Sequence, residues 1–136
     1  MSGLFGEKGT FNENISNWDV SSITDMSYMF SSAYDFNQDI SSWEVPSVTN
    51  MDEMFYEASS FNQDLSSWDV SSVTGMNFMF FGASSLNQNL CAWGLVVPRS
   101  AGVFFMFASA SSCPINNEED PNLAASPPGP FCYVCG

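Results

Sequence analysis

Apolar residues along the chain recur every 25 positions, an interval far longer than any helix or strand period. Phe11, Phe36, Phe61 and Leu86 form one series, and Ile15, Ile40, Leu65 and Leu90 a second. Trp18, Trp43, Trp68 and Trp93, all the tryptophans of the chain, form a third, and Met1, Met26, Met51 and Met76 a fourth. Segments 36–60 and 61–85 agree at 17 of 25 positions. A unit of this length cannot bury its apolar face alone and stacks on its neighbours, so the spacing predicts a solenoid. Each unit changes pattern halfway. In Ile40-Ser-Ser-Trp43-Glu-Val45 the apolar residues fall at the first, fourth and sixth positions and are of types suited to a strand, with Trp43 and Val45 pointing inward. In the second half Val48, Met51, Met54, Phe55 and Ala58 share one face of a short α- or 3-10-helical turn, with Thr49 or Asn50 as its cap. One strand per coil, stacked in parallel roughly 4.8 Å apart, predicts a parallel sheet.

The units run as a partial first coil, 1–10, and repeats 11–35, 36–60, 61–85 and 86–112. Leu4 and Phe5 match Met29 and Phe30, so the register opens in mid-repeat and the sequence is expected to be an N-terminally truncated fragment. On that expectation the lack of a signal peptide says little about location. The last unit is irregular: Gly94 stands where other units carry an acid, Pro98 and Arg99 enter, and two residues are gained before Met106-Phe107. Residues 113–136 lose the repeat and hold five of the seven prolines, which reads as a Pro-rich, Cys-containing C-terminal cap or tail.

The unit F-N-Q-D-I/L-S-S-W-D/E-V-x-S-V-T-x-M-x-x-M-F-x-x-A-S-S resembles the 25-residue repeat of the BspA-like leucine-rich-repeat surface proteins, over residues 1–112. The resemblance implies a leucine-rich-repeat-like solenoid, display at the cell surface or outside the cell, and adhesion or protein binding. It brings no catalytic residues to carry over. The expected fold class is therefore α/β, a leucine-rich-repeat-like solenoid of about five coils whose parallel sheet is joined by short α- or 3-10-helical turns.

Charge narrows the partners. Two basic residues stand against fifteen acidic ones, a net charge of −13, which opposes binding to nucleic acid or an anionic membrane surface. No apolar run is long enough to span a bilayer. There is no histidine, so every histidine-based dyad, triad or metal site is excluded, and a repeat places its carboxylates in equivalent settings, whereas acid catalysis needs contrasting ones. The chain is expected not to be an enzyme and to need no cofactor.

The candidate contact residues are Asp19, Glu44 and Asp69, between the tryptophan and the valine of each unit and so on the outer face, with Ser41 and Ser66 beside them. Like charges stacked at this spacing repel by roughly 1 kcal/mol per pair even in water-like surroundings, which a basic partner would relieve. Asp39 and Asp64 form a second row with the oxygen chemistry of weak calcium ligands, though the glycine-rich nonapeptide of calcium-binding β-rolls is absent. Asn12, Asn37, Asn62 and Asn87 are read as structural, bonding backbone groups in the turn. Cys132 and Cys135 form a C-x-x-C, half of a four-cysteine zinc site if Cys91 and Cys113 complete it. Their irregular spacing favours instead a disulfide from Cys113 to Cys132 or Cys135, pinning the tail over the end of the solenoid in a secreted protein. The expected function is a non-enzymatic extracellular or cell-surface module that binds a protein or surface ligand. The alternatives are a structural spacer without its own ligand and a calcium-stabilised surface assembly.

Overall fold

The computed structural model describes residues 1–115 and 120–135, and in it successive 25-residue units lie on one another as a stack of coils. What joins the coils is an alternation in where the backbone N–H groups point. Those of Met26, Tyr28, Phe30 and Ser32 donate to the carbonyls of Asn50, Asp52, Met54 and Tyr56 in the next coil, at 2.7–3.0 Å. Those of Met29, Ser31 and Ala33 turn back to the carbonyls of Met26, Tyr28 and Phe30, at 3.0–3.2 Å. The same alternation ties Met51, Glu53, Phe55 and Glu57 to Gly75, Asn77, Met79 and Phe81, and the next unit to the one after.

An α-helix sends its interior N–H groups four residues back along the chain. Here every second one is spent on the next coil, so linked β-turns replace the expected helical turn. The turns require two left-handed residues per unit: Tyr28 and Ser32 (φ 57° and 56°), Glu53 and Glu57 (55° and 54°), Phe78 and Gly82 (55° and 68°). Glycine takes that conformation freely, whereas each side-chain-bearing residue there costs about 1–2 kcal/mol.

The other half of each unit is not a strand. The N–H of Trp43 closes a turn onto Ile40, at 3.0 Å, and that of Val48 onto Val45, at 3.1 Å. Between coils, side chains do much of the bonding. The indole N–H groups of Trp43, Trp68 and Trp93 reach back to the carbonyls of Ile15, Ile40 and Leu65 at 3.0–3.2 Å. Asn12 Oδ1 accepts the backbone N–H of Asn37 at 2.9 Å and an amide hydrogen of Gln38 at 3.0 Å, and the pattern repeats from Asn37 and from Asn62. The recurring Asn, Gln and Trp of the unit are its inter-coil bonds, in agreement with the structural reading of the asparagines.

Among the described residues the regular elements are one 3-10 helix, Cys91–Leu95, and isolated bridges, three of which align Asp25, Asn50, Gly75 and Gly102 in parallel. There is no sheet among them. The α/β parallel-sheet solenoid expected from the sequence is therefore wrong: a strand ladder needs the backbone groups that the turns consume.

Aromatic columns fill the interior. Phe30, Phe55, Phe80 and Phe107 stack at 5.5 Å between ring centroids, and Phe36 and Phe61 stand beside them, each 4.0 Å from the first or second of that column. Met26, Met29, Met51, Met54, Met76 and Met79 are fully buried around them. Phe131 of the tail is buried against the last unit, where its backbone carbonyl accepts the N–H of Leu90 at 3.3 Å. Gly94 permits this seat, since a Cβ there would lie 3.0 Å from both the Phe131 ring and the Pro128 carbonyl. The acidic row ends at Gly94 because the tail lies on that position.

Candidate binding faces

Buried Trp43 and Trp68, with the buried Val20, Val45 and Val70, leave the residue before each valine exposed, and Asp19, Glu44 and Asp69 stand in one row on the surface, beside an exposed Trp18 in the first unit. Two clefts open along it. Ser41, Glu44 and Asp69 line one of about 310 Å³, together with Trp43 and Pro46. Asp19 and Glu44 line the other, of about 340 Å³, with Trp18 and Ser42. Glu44 is thus shared by both, while Ser66 lies outside them.

The three acids differ in what holds them. Asp19 Oδ1 accepts the hydroxyl of Ser21 at 2.6 Å and its backbone N–H at 3.1 Å, and these bonds hold the carboxyl below its ordinary value. Ser71 does the same for Asp69, whose Oδ1 accepts the Ser71 backbone N–H at 3.0 Å. After Glu44 the corresponding residue is Pro46, which has no N–H to give. Glu44 is the member of the row without this internal donor.

Ser41 and Ser66 are half-buried, and their backbone N–H groups donate to Asp39 Oδ1 and Asp64 Oδ1, both at 2.9 Å. Asp39 and Asp64 therefore close local turns. Asn14 and Asn89 make the same bond in their own units, to Ser16 and Cys91, at 3.0 Å, so the position works without a charge. Hydrogen bonding from Ser41, hydroxyl first and then backbone, holds the Asp39 carboxyl below its usual value. Among the described residues no three His, Cys, Asp or Glu side chains converge on a point that would hold a metal ion.

All four cysteines are oxidised. Cys113 pairs with Cys132, one of the two pairings the sequence left open, and Cys91 with Cys135. The second pair was not foreseen, because Cys91 lies in the repeat and entered only as a zinc ligand. The sequence reading also missed a second flank of the stack, formed by Tyr28, Tyr56, Phe78, Phe81, Phe104 and Phe105 on the turns taken for helices. Tyr28 and Phe104 are 44% and 54% exposed there, and the charge of Glu53 pushes the Tyr28 hydroxyl above its ordinary value. Its sequence signal was available: these rows change chemical character from unit to unit, Tyr28 to Glu53 to Phe78, while the core rows stay apolar.

No helix among the described residues is long and apolar enough to cross a membrane. Neither a curated protein nor a solved structure matches the chain. The repeats that build the stack do match a family model, over residues 1–118, and by that match the chain belongs to the family described as Mycoplasma protein of unknown function, DUF285.

Proposed function

We propose that the chain is a non-enzymatic binding module that works at the cell surface or outside the cell, as its resemblance to the BspA-like repeats also implies. The observation that carries the reading is the Asp19–Glu44–Asp69 row. The repeated Asn, Gln and Trp are consumed in holding coils together, whereas this row faces solvent across two open clefts, and Glu44 has no internal donor to satisfy it. A protein or surface ligand that brings basic groups relieves the stacked charges. Two disulfides support an oxidising compartment.

Location and contact are tested together. Cells producing the epitope-tagged protein are treated with a membrane-impermeant protease, and the thiols of the recovered chain are counted by alkylation. Removal of the tag from intact cells and no alkylated cysteine are expected. A protected tag with four alkylated cysteines would sink the surface reading. In solid-phase binding to a panel of purified extracellular proteins, Glu44→Ser with Asp69→Ser should weaken any specific interaction at least tenfold, and a spacer would bind nothing in either form.

A further inference from the structure

The left-handed turns carry side chains that their own stability does not explain. Gly3, at φ 65°, shows which residue the conformation favours, yet the matching positions of later units hold Tyr28, Phe78 and Phe105 at φ 57°, 55° and 51°. Bulky residues in this region are outliers that other demands must retain. Deep burial is not the demand, since Tyr28 is 44% exposed and Phe78 and Phe105 keep part of their surface in solvent.

The rings form a patch. Phe78 lies 6.0 Å from Phe81, 5.8 Å from Phe104 and 5.6 Å from Phe105, and Phe104 meets Phe105 edge-on at 4.3 Å. Tyr56 stacks on Phe81 at 5.1 Å and extends the patch to the preceding coil. Carboxylates border it on that side. Glu53 stands between Tyr28 and Phe78 in the same row, and Glu57 Cγ would be 3.2 Å from a Cβ on Gly82. Asp52 accepts the backbone N–H of Asn77 at 2.7 Å.

We propose that this flank, Tyr56, Phe78, Phe81 and Phe104 with Glu53 and Glu57, is a docking site for an extended basic polypeptide segment. Guanidinium and ammonium groups lie favourably over aromatic faces and donate to carboxylates, so rings bordered by acids offer both contacts to an arginine or lysine side chain. The charge of −13 steers such a partner in and turns anionic ones away. A carbohydrate would use the rings but gain little from a border of carboxylates. The inference rests on the reading of the chain as a binding module but not on its Asp19–Glu44–Asp69 face. The two faces lie on different halves of the unit, so each fails separately.

The test is fluorescence anisotropy with the disulfide-intact chain and a labelled octapeptide alternating arginine and serine, against the same peptide with citrulline for arginine, at physiological salt. The arginine peptide should bind at least tenfold more tightly than the citrulline one. Phe104→Ser should weaken it at least fivefold with little change in melting temperature, because Phe104 is 54% exposed and its turn position is not left-handed, and this separates loss of contact from loss of fold. Glu53→Gln with Glu57→Gln should weaken binding and flatten its salt dependence, and Asp39→Asn with Asp64→Asn, an equal loss of charge at turn positions that work without it, should change it less than twofold. No binding, equal binding of the two peptides, equal loss in both charge variants, or tighter binding of a neutral oligosaccharide would each overturn the proposal.

Discussion

The hydroxyl of Tyr133 donates to Asn87 Oδ1 at 2.7 Å, the place that the backbone N–H of the next asparagine holds in each earlier unit. The tail thus closes the asparagine ladder with a side chain where the repeat would use its backbone. Tyr133→Phe removes one such bond and should lower stability by about 1 kcal/mol. Asn62→Ala strips the acceptor from both Asn87 N–H and the Gln88 amide and should cost more, about 2 kcal/mol. Urea denaturation of the two variants checks the order, and equal effects would mean that the ladder bonds are not what the asparagines supply.

Tryptophan tests whether coil-to-coil bonding reaches the core. Trp68 is 3% exposed and its indole N–H satisfies the Ile40 carbonyl at 3.2 Å. Trp68→Phe leaves that carbonyl without the indole and opens space, a loss of about 2–3 kcal/mol. Trp18 is 39% exposed and rests on Phe5, with ring centroids 5.6 Å apart. Trp18→Phe should change stability by less than about 0.5 kcal/mol. Paired unfolding curves decide, and similar losses at both positions would contradict this account of the Trp68 bond.

The 25-residue interval was legible because each core row, such as Phe36 and Phe61, needs an apolar residue once per coil whatever the backbone does between. The local conformation was not. Met26, Met29 and Phe30 have the spacing of a helical face, but two linked turns bring the same three inward, and the left-handed residues that distinguish the cases are Tyr28 and Ser32, not glycines. Strand-like Ile40-x-x-Trp43-x-Val45 misleads for a related reason, since its inter-coil bonds run through side chains. The acidic row was legible because the tryptophan and valine on either side fix which way it faces. The aromatic flank was hidden by the helix reading, which assigned its residues to the outside of a turn without bringing them together.

The same left-handed positions give a stability prediction. Ser32 has φ 56°, and Gly82 occupies its place two units later with φ 68°. Ser32→Gly relieves the turn by about 1–2 kcal/mol and gives back part of that through a freer unfolded chain, so a net gain of about 0.5 kcal/mol is expected from thermal unfolding. A loss of stability would show that the turn is not under strain there.

Asp39 tests charge against geometry. Because Asn14 and Asn89 make the same turn bond, Asp39→Asn should stay within about 0.5 kcal/mol of wild type at neutral pH, while Asp39→Ala should cost about 1 kcal/mol. The folded state holds the Asp39 carboxyl below its ordinary value of 3.8, so its ionised form stabilises above that pH and the contribution is lost as pH falls through the folded value. The lead of wild type over Asp39→Asn should therefore shrink as pH falls to 3.8 and below. A lead that grows on acidification would reverse the assigned sign.

Reduction should act first on the end of the stack that the tail covers. The Cys91–Cys135 pair closes a sequence separation of 44 and Cys113–Cys132 one of 19, which in a chain-entropy account are worth at most about 4 and about 3 kcal/mol. Both hold the segment whose Phe131 is buried and whose Tyr133 ends the asparagine ladder. Trp93, fully buried in the last unit, reports on that end, whereas Trp43 and Trp68 lie in earlier coils that keep neighbours on both sides. Mild dithiothreitol should red-shift the part of the fluorescence that Trp93→Phe removes and leave the remainder unchanged until higher urea. Cys91→Ser with Cys135→Ser should reproduce the shift without reductant. If reduction instead moves all tryptophans together, the stack unfolds as a single cooperative unit and the tail is part of its core.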